Sequence, residues 1–301
     1  MELGMIGLGR MGANMTERLL GAGHRVVCYD RSPQAVQSVV SKGAAGADSL
    51  KATSAALKPP RVVWLMVPSG DPVDQTIQAL VPDLQPGDAI VDGGNSYYKD
   101  TLRRAAALKE SGIHYIDVGT SGGIWGLKEG YSLMVGGDEE VVERLAPIFQ
   151  SLAPAPDKGW GRVGPSGAGH FVKMIHNGIE YGLMQAFAEG FALMEGKTDF
   201  NLDLNQIAEI WRHGSVVRSW LLDLIAAGLA GNPDLGGIKP YVEDSGEGRW
   251  TVSEAVDLEI AAPVITLSLL QRLRSRDPDS FADKLLALMR HEFGGHALKK
   301  D

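Results

Sequence analysis

The chain has 301 residues, 44% of them hydrophobic and 22% charged, which is ordinary for a globular protein and leaves room for two domains. Its formal net charge is −8 and its Lys and Arg residues form no basic cluster, so we expect no nucleic-acid partner. Cys28 is the only cysteine, which excludes an intramolecular disulfide.

The sequence shows neither a secretory leader pattern nor an apolar run near ~18 residues, so we expect a cytoplasmic protein without a membrane partner. The histidines are scattered, and we expect no metal site.

Short apolar runs alternate with helical patterns through the first half of the chain. Runs that are rich in Val, Ile and Tyr predict strands at 3–6, 25–30, 61–67, 88–94, 113–119 and 132–137. The patterns between them predict helices at 10–22, 33–42, 72–81, 98–111 and 138–151. This alternation predicts an α/β fold with a Rossmann-type, doubly wound parallel sheet that helices cover on both faces.

The pattern changes at a glycine-rich segment, 157–169, which we interpret as a domain junction. We place the boundary between a Rossmann domain at 1–165 and an all-helical domain at 166–301. The second half predicts helices at 168–196, 203–213, 217–230, 253–260, 263–275 and 278–292, with loops at 232–237 and 243–249.

The first predicted strand runs into the sequence MIGLGRMG, which has the spacing G-x-G-x-x-G. Gly7 permits a tight turn, Gly9 lets a pyrophosphate approach the backbone, and Gly12 allows close packing of helix on strand. The following helix adds unpaired N–H groups and a positive partial charge. The sequence therefore predicts a dinucleotide site, in which the loop is completed by Leu8, Arg10 and Met11.

The end of the second strand indicates which dinucleotide binds. Asp30 lies 18 residues after Gly12, where an acidic residue typically binds the adenosine ribose hydroxyls. A carboxylate there repels the 2′-phosphate of NADP, whereas the adjacent Arg31 is able to bind that phosphate if Asp30 turns away. We therefore predict NAD and keep NADP open. Val67 and Pro68 end a strand at the sheet edge that lines such a cleft, so they join the predicted site.

The stretch KMIHNGIEYG, 173–182, places four side chains that are able to exchange protons or form hydrogen bonds on one predicted helix face. Helical geometry puts Lys173 and Glu180 two turns apart and ~20° from alignment, with His176 and Asn177 between them. Taken alone, this face is equally well explained as a solvated surface with charges at helical spacing. The other face is predicted to pack on a core through Val172, Ile175 and Ile179.

Five motifs together resemble the decarboxylating 6-phosphogluconate dehydrogenases, in the short form of that family. They are GLGRMGANM, VDGGNSYYKDT, GTSGG, GAGHFVKMIHNGIEYG and RHEFGGH, and they span the chain from the glycine loop to residue 296. The resemblance implies oxidation and decarboxylation of 6-phospho-D-gluconate to D-ribulose 5-phosphate and CO2, in the pentose phosphate pathway and gluconate utilisation.

The family resemblance also implies the roles of individual residues. Lys173 is then the general base that accepts the proton of the C3 hydroxyl, and Glu180 is the acid that protonates the enediol left after loss of CO2. Asn95 would lie between the nicotinamide and the substrate, contacting both. The other implied substrate contacts are Ser121, Gly122, Gly123, His176, Asn177 and Tyr181.

The substrate phosphate needs fixed cations in an acidic protein. The resemblance implies Arg249, Arg290 and His296 for this role, and in long-form relatives the last two enter the active site from the partner subunit. We therefore expect a homodimer or homotetramer, with the helical domain serving both substrate binding and assembly. A further family arginine has three candidates here, Arg272, Arg274 and Arg276.

Two alternatives remain at this stage. A β-hydroxyacid dehydrogenase that acts on a non-phosphorylated acid shares the glycine loop, the SGG turn and the lysine. That class generally lacks the His-Asn followed by Glu-Tyr that this chain has at 176–177 and 180–181. A dinucleotide-binding protein without catalysis is the other alternative, and the presence of Lys173 and Glu180 argues against it.

Overall fold

The computed structural model describes residues 1–295 and 297–299. The chain forms two compact units, Met1–Asn177 and Gly178–Asp301. The first contains a β-sheet and the second is helical in its described residues, which confirms the predicted fold class. The sequence-based boundary at 165 to 166 follows the last strand, whereas the units divide within the long helix Ala168–Gly196.

The sheet of the first unit has eight strands. They are β1 (Glu2–Ile6), β2 (Arg25–Tyr29), β3 (Ala45–Gly46), β4 (Val62–Leu65), β5 (Ala89–Asp92), β6 (His114–Ser121), β7 (Ser132–Gly136) and β8 (Trp160–Gly164). Their spatial order is β3-β2-β1-β4-β5-β6-β7-β8, so the direction of strand progression reverses between β1 and β4. Open α/β sheets bind ligands at such a switch point, beyond the carboxyl ends of the strands.

The sheet is mostly parallel, as predicted, but β7 and β8 run in the opposite direction to the other six strands. β7 runs antiparallel to β6, pairing Asp117 with Gly136 and Ser121 with Ser132. The connection between them is only a short helical turn, which suits an antiparallel return, whereas a parallel neighbour needs a longer crossover. The short strands β3 and β8 were not predicted, and β8 lies inside the segment that we interpreted as a junction.

Helices cover both faces of the sheet, as predicted. Along β4, Val62 and Trp64 belong to one buried apolar cluster, whereas Val63 and Leu65 belong to another. Alternate residues of a buried parallel strand therefore contact separate helical layers. The helices of this unit are α1 (Arg10–Gly21), α2 (Pro33–Val40), α3 (Leu50–Ala55), α4 (Asp71–Leu80), α5 (Tyr98–Glu110), α6 (Gly126–Glu129) and α7 (Glu139–Leu152).

Helix α8 (Ala168–Gly196) has the predicted bounds and leads into the second unit. The helices that follow are α9 (Leu204–Trp211), α10 (Trp220–Gly231), α11 (Glu247–Asp257), α12 (Pro263–Arg274) and α13 (Phe281–Gly294). The predicted loop 243–249 is wrong at its end, because α11 already begins at Glu247 and includes Arg249. An acidic residue in the first turn, here Glu247, favours that start through the helix dipole.

Across the described residues, every helix is too short or too polar to span a bilayer. The same residues contain no group of three or more His, Cys, Asp or Glu side chains placed to hold a metal ion.

Candidate active site

A cleft of about 600 Å³ opens at the switch point of the sheet, between the carboxyl ends of β1, β2 and β4. Most of the residues predicted for the dinucleotide line this cleft: Gly7, Gly9, Arg10, Met11, Gly12, Asp30, Arg31, Val67 and Pro68. Leu8 differs, because its side chain is buried in the core and only its backbone N–H faces the second strand. The cleft therefore brings the glycine loop and the candidate ribose-binding carboxylate together.

The glycine loop has the geometry that a pyrophosphate requires. Gly7 has a φ of +92°, and a Cβ there would lie 2.4 Å from the carbonyl oxygen of Met66. A Cβ on Gly12 would lie 2.0 Å from the carbonyl oxygen of Gly7. By contrast, a Cβ on Gly9 would meet nothing within 4 Å, so the space beyond it is open. Two glycines thus permit the tight turn, and the third leaves room for phosphate oxygens.

Both oxygens of the Asp30 carboxylate are held by backbone donors. Leu8 donates its N–H to Oδ2 at 2.7 Å, and Ser32 donates its N–H to Oδ1 at 2.8 Å. The carboxylate is therefore fixed at the cleft while keeping lone pairs for ribose hydroxyls. Arg31 also lines the cleft and is exposed, so the cation that would favour NADP lies next to the anion that disfavours it.

The structure adds cleft residues that the sequence reasoning missed. Pro72, Gln75 and Thr76 come from the first turns of α4. They follow strand β4, which lies directly across the switch point from the glycine loop. Because the helix after β4 begins at the same edge of the sheet, its first turns could have been predicted from the sequence to line the cleft. The other added lining residues are Ile6, Tyr29, Leu50, Met66 and Gly94.

Asn95 follows β5 at the same sheet edge, although Gly94 rather than Asn95 lines the cleft. The loop is held by the buried Asp92, whose Oδ2 accepts the hydroxyls of Ser96 at 2.7 Å and Tyr115 at 2.8 Å. Burial raises the pKa of the Tyr115 phenol well above its usual value, and the charge on Asp92 adds to that effect. The Oδ1 atom of Asn95 is buried and accepts no hydrogen bond in the part of the chain described, so a ligand amide or hydroxyl would satisfy it.

Lys173 is buried against the last part of β6. Its side chain is 5% exposed, and a Cβ on Gly119 would lie only 2.3 Å from the Lys173 Cβ. Its Nζ lies 3.4 Å from Nδ1 of His176, and that nitrogen lies 2.9 Å from Oδ1 of Asn177. The structure thus brings three of the predicted residues into one polar cluster.

The predicted packing of the apolar face of α8 is wrong at Ile179. Lys173 is buried, whereas Ile179, which was predicted to pack on a core, is 52% exposed. The reason lies in the packing partner, since glycines at 119, 136 and 169 let the helix approach the sheet on its polar side. Ser121, Gly122 and Gly123 end β6 and form the next turn, in which Gly122 has a φ of +128°.

Within the second unit, arginine side chains lie near Tyr181. The Arg272 guanidinium lies 3.5 Å from the centre of the Tyr181 ring, and Ser245 donates its N–H to the Tyr181 hydroxyl at 3.3 Å. Arg249 donates to Asp244 at 3.0 Å, and this hydrogen bond is the main cause of the lowered pKa of that carboxyl. Of the three arginines that the sequence left open, Arg272 is therefore the one that contacts Tyr181.

The remaining predicted residues are placed as follows. Glu180 is half-buried on α8, next to Tyr181 in sequence. Arg290 is exposed on α13. His296 lies outside the described residues.

A mostly parallel sheet with a glycine-loop cleft at its switch point, and a buried lysine at the same edge, defines a dinucleotide-dependent oxidoreductase. The profile of the NAD binding domain of 6-phosphogluconate dehydrogenase matches residues 2–161, and that of the 6-phosphogluconate dehydrogenase C-terminal domain matches residues 169–286. The chain belongs to the 6-phosphogluconate dehydrogenase family.

Full-length relatives agree with this membership. The Bacillus subtilis protein YqeC is 46% identical over 300 residues, covering all of both chains. The NAD(+)-dependent, decarboxylating 6-phosphogluconate dehydrogenase of Haloferax volcanii is 45% identical over 302 residues, covering 100% of this chain and 99% of that one. The solved structure of 6-phosphogluconate dehydrogenase from Plasmodium falciparum superposes with a TM-score of 0.85 at 28% identity, covering 100% of this chain and 66% of that one.

Proposed function

We propose that this protein oxidises and decarboxylates 6-phospho-D-gluconate to D-ribulose 5-phosphate and CO2, with NAD as the hydride acceptor. The observation that carries the proposal is the buried Lys173, whose Cβ and Cγ pack against Gly119 near the carboxyl end of β6, the edge of the sheet where the dinucleotide cleft opens. Family membership and the full-length Haloferax volcanii relative support the same reaction.

The residues of the cleft fit a dinucleotide. The open space beyond Gly9 takes the pyrophosphate, and the fixed Asp30 carboxylate takes the ribose hydroxyls. The bound nicotinamide supplies the acceptor for the hydride that leaves C3 of the substrate. Because a carboxylate repels a 2′-phosphate, Asp30 favours NAD, and the exposed Arg31 is the residue that would hold NADP instead.

In the first step, Lys173 accepts the proton of the C3 hydroxyl. Lys173 is 5% exposed, so its side chain is held in place by the surrounding structure, as a positioned general base requires. The resulting C3 ketone lies β to the carboxylate, and the protonated amine then polarises the ketone oxygen. The bond from the carboxylate to C2 breaks, CO2 leaves, and the electron pair passes into an enediol.

The former ketone oxygen takes its proton from Lys173 as the enediol forms. In the last step, the enediol takes a proton at the carbon that becomes C1 of the product, while the hydroxyl at the former C3 returns its proton to Lys173 and becomes the ketone. Glu180 follows Lys173 by seven residues in the sequence of α8, and we assign it the role of this acid. His176 and Asn177 supply hydrogen bonds to the sugar hydroxyls, and Ser121 with the glycines that follow it supplies donors to the carboxylate.

The substrate phosphate is assigned to the basic cluster around Tyr181. Arg272 and Arg249 present guanidinium groups, which bind phosphate oxygens in a bidentate manner. Arg290 and His296 complete the proposed set. The family resemblance assigns these two to the partner subunit, and we propose a homodimer or homotetramer on that basis.

Exposed apolar side chains on α13 support the proposed assembly. Phe281 is 77% exposed, and Leu285 and Leu288, which share its face at spacings of four and seven residues, are 40% and 45% exposed, as is typical of an interface. The acidic composition and the buried Cys28 fit a cytoplasmic location, which we retain as part of the proposal.

One experiment tests the reaction and the assigned base together. The unaltered protein should form NADH and release CO2 with 6-phosphogluconate, and gluconate should be a far poorer substrate. Lys173→Met should reduce hydride transfer by about 10²-fold to 10⁴-fold, the usual contribution of a general base. Its affinity for NADH, followed by fluorescence, should stay within about twofold, since Lys173 does not line the dinucleotide cleft. An active Lys173→Met variant would refute the proposed base.

A further inference from the structure

Helices α5 and α8 are joined by a buried side-chain hydrogen bond. Oγ1 of Thr101 lies 2.7 Å from Nδ1 of His170, and the two residues are 0% and 1% exposed. Beside this bond, the rings of Tyr98 and Phe171 meet edge to face with centroids 5.3 Å apart. A polar contact and an aromatic contact therefore join the two helices.

Each of the two bonded residues lies close in sequence to a residue of the proposed mechanism. Thr101 is in the first turn of α5, the helix that directly follows the Asn95 loop. His170 is three residues before Lys173, on the buried side of α8. The bond thus ties the element that presents Asn95 to the element that presents Lys173.

The start of α8 is also fixed to the sheet. Oδ1 of the buried Asp117 accepts the N–H of Gly167 at 2.7 Å, and Oδ2 accepts the N–H of His170 at 2.9 Å. A carboxylate that accepts the first N–H groups of a helix holds its N-terminus through both hydrogen bonds and the dipole. With its backbone fixed in this way, the His170 ring has little freedom to follow a displaced α5.

The His170 ring keeps an unpaired polar atom. Its Nε2 is buried without a hydrogen-bond partner in the described structure. Burying an unpaired polar atom costs stability, so an apolar side chain would serve a purely structural contact better. What a histidine offers here that an apolar side chain does not is therefore Nδ1, the atom that bonds to the other helix.

We infer that Thr101 and His170 are positioning residues that set the distance between Lys173 and Asn95. The inference rests on the proposed function, because it uses the roles assigned to those two residues. Hydride transfer depends steeply on geometry, and a displacement of about 1 Å at a reacting group is able to cost about 10²-fold in rate. Loss of the bond lets the two helices separate slightly while the dinucleotide cleft, which neither residue lines, stays intact.

The test compares Thr101→Val, which removes the hydroxyl at nearly constant volume, with Thr101→Ser, which keeps it. We expect Thr101→Val to lower kcat about tenfold. Its primary isotope effect with 6-phosphogluconate deuterated at C3 should also rise, because hydride transfer becomes more rate-limiting. Thr101→Ser should restore both values. Affinity for NADH should remain within about twofold in both variants.

A matched control separates positioning from stability. Thr53 is likewise 0% exposed, and its hydroxyl donates within its own helix region, to the carbonyl oxygen of Ser49 at 2.9 Å. Thr53→Val should lower the melting temperature without changing the isotope effect. If Thr101→Val behaves in the same way, with unchanged kcat and isotope effect, the positioning role is wrong.

A second pair of variants covers the case in which Thr101→Val fails to fold. His170→Asn keeps a polar atom near the position of Nδ1, whereas His170→Gln keeps one near the position of Nε2. We expect His170→Asn to retain at least about fivefold more kcat than His170→Gln. Equal values would overturn the inference. In every one of these outcomes, an inactive Lys173→Met variant leaves the proposed function standing, so the two failures are distinguishable.

Discussion

Lys173 lies so close to Gly119 that no side chain fits between α8 and β6 at this position. A Cβ on Gly119 would be 2.3 Å from the Lys173 Cβ and 2.6 Å from the carbonyl oxygen of Gly169. The helix therefore packs directly on the strand, and this contact fixes the point from which the Lys173 side chain extends. Where small residues let a helix pack closely on a strand, the position of the helix also determines the position of the reactive side chains that it carries.

Gly119→Ala should displace α8 and with it the lysine. We expect a loss of about 1–3 kcal/mol in the free energy of unfolding, as for other overpacked interiors, and at least a tenfold loss of kcat. Urea unfolding and steady-state rates with 6-phosphogluconate measure the two effects. Gly161→Ala on β8 is the matched control, because a Cβ there meets nothing within 4 Å. Equal behaviour of the two variants would show that the close contact does not position Lys173.

The glycine loop and the acidic residue after β2 could be predicted from sequence because the residues around them already predict the strand before the loop and the helix after it. Gly7, Gly9, Gly12 and Asp30 sit at fixed offsets from two strands, and local geometry decides their conformation. The burial of Lys173 is a different case. Helical spacing places Lys173 and Ile179 on different faces but does not say which face meets the sheet. That choice depends on glycines distant in sequence, such as Gly119 and Gly136.

Two further features had no local signal. An apolar run such as 132–137 predicts a strand without its direction, so the antiparallel pairing of β7 was not predictable from its own residues. Three arginines at alternating positions, 272, 274 and 276, point in different directions, and only the tertiary contact with Tyr181 distinguishes Arg272. Sequence patterns thus predict which residues take part in the chemistry, whereas nonlocal packing decides their orientation.

Arg272→Ala should weaken phosphate binding. Charge-assisted hydrogen bonds contribute about 1.5–3 kcal/mol, so KM for 6-phosphogluconate should rise about 10-fold to 100-fold. Arg274→Ala is the matched control on the same helix, since Arg274 pairs with Asp283 at an exposed site. Initial rates over a range of substrate concentrations measure the difference. An unchanged KM for Arg272→Ala would remove this arginine from the phosphate site.

Asp30→Asn should relax the discrimination against NADP. The amide keeps an acceptor for the N–H of Leu8 but removes the negative charge that repels a 2′-phosphate. We expect the ratio of kcat/KM for NAD to that for NADP to fall at least about tenfold, because like charges in contact cost several kcal/mol. Arg31→Ala should change the ratio in the opposite direction. A ratio that Asp30→Asn leaves unaltered would show that this carboxylate does not face the ribose.

Acid stability should depend on Asp74, which joins α4 to α5. Arg104 donates to this carboxylate through Nε at 2.9 Å, and this bonding is the main reason that the pKa of Asp74 is about 2 rather than 3.8. Because the pKa is lower in the folded state, the carboxylate stabilises the fold fully above about pH 3.8, and the contribution disappears as the pH falls through about 2. The difference in melting temperature between the unaltered chain and Asp74→Asn should therefore be largest above about pH 4 and shrink toward pH 2.

Melting curves at constant ionic strength over this range measure the Asp74 effect. Asp48→Asn is the comparison variant, because Asp48 is exposed and its carboxylate accepts a hydrogen bond from the neutral hydroxyl of Ser49. A melting-temperature difference for Asp74→Asn that stays constant from about pH 5 to pH 2 would contradict the pairing with Arg104. Since α4 also lines the dinucleotide cleft through Gln75 and Thr76, weaker NADH binding by Asp74→Asn near pH 7 would show that the same ion pair supports the cofactor site.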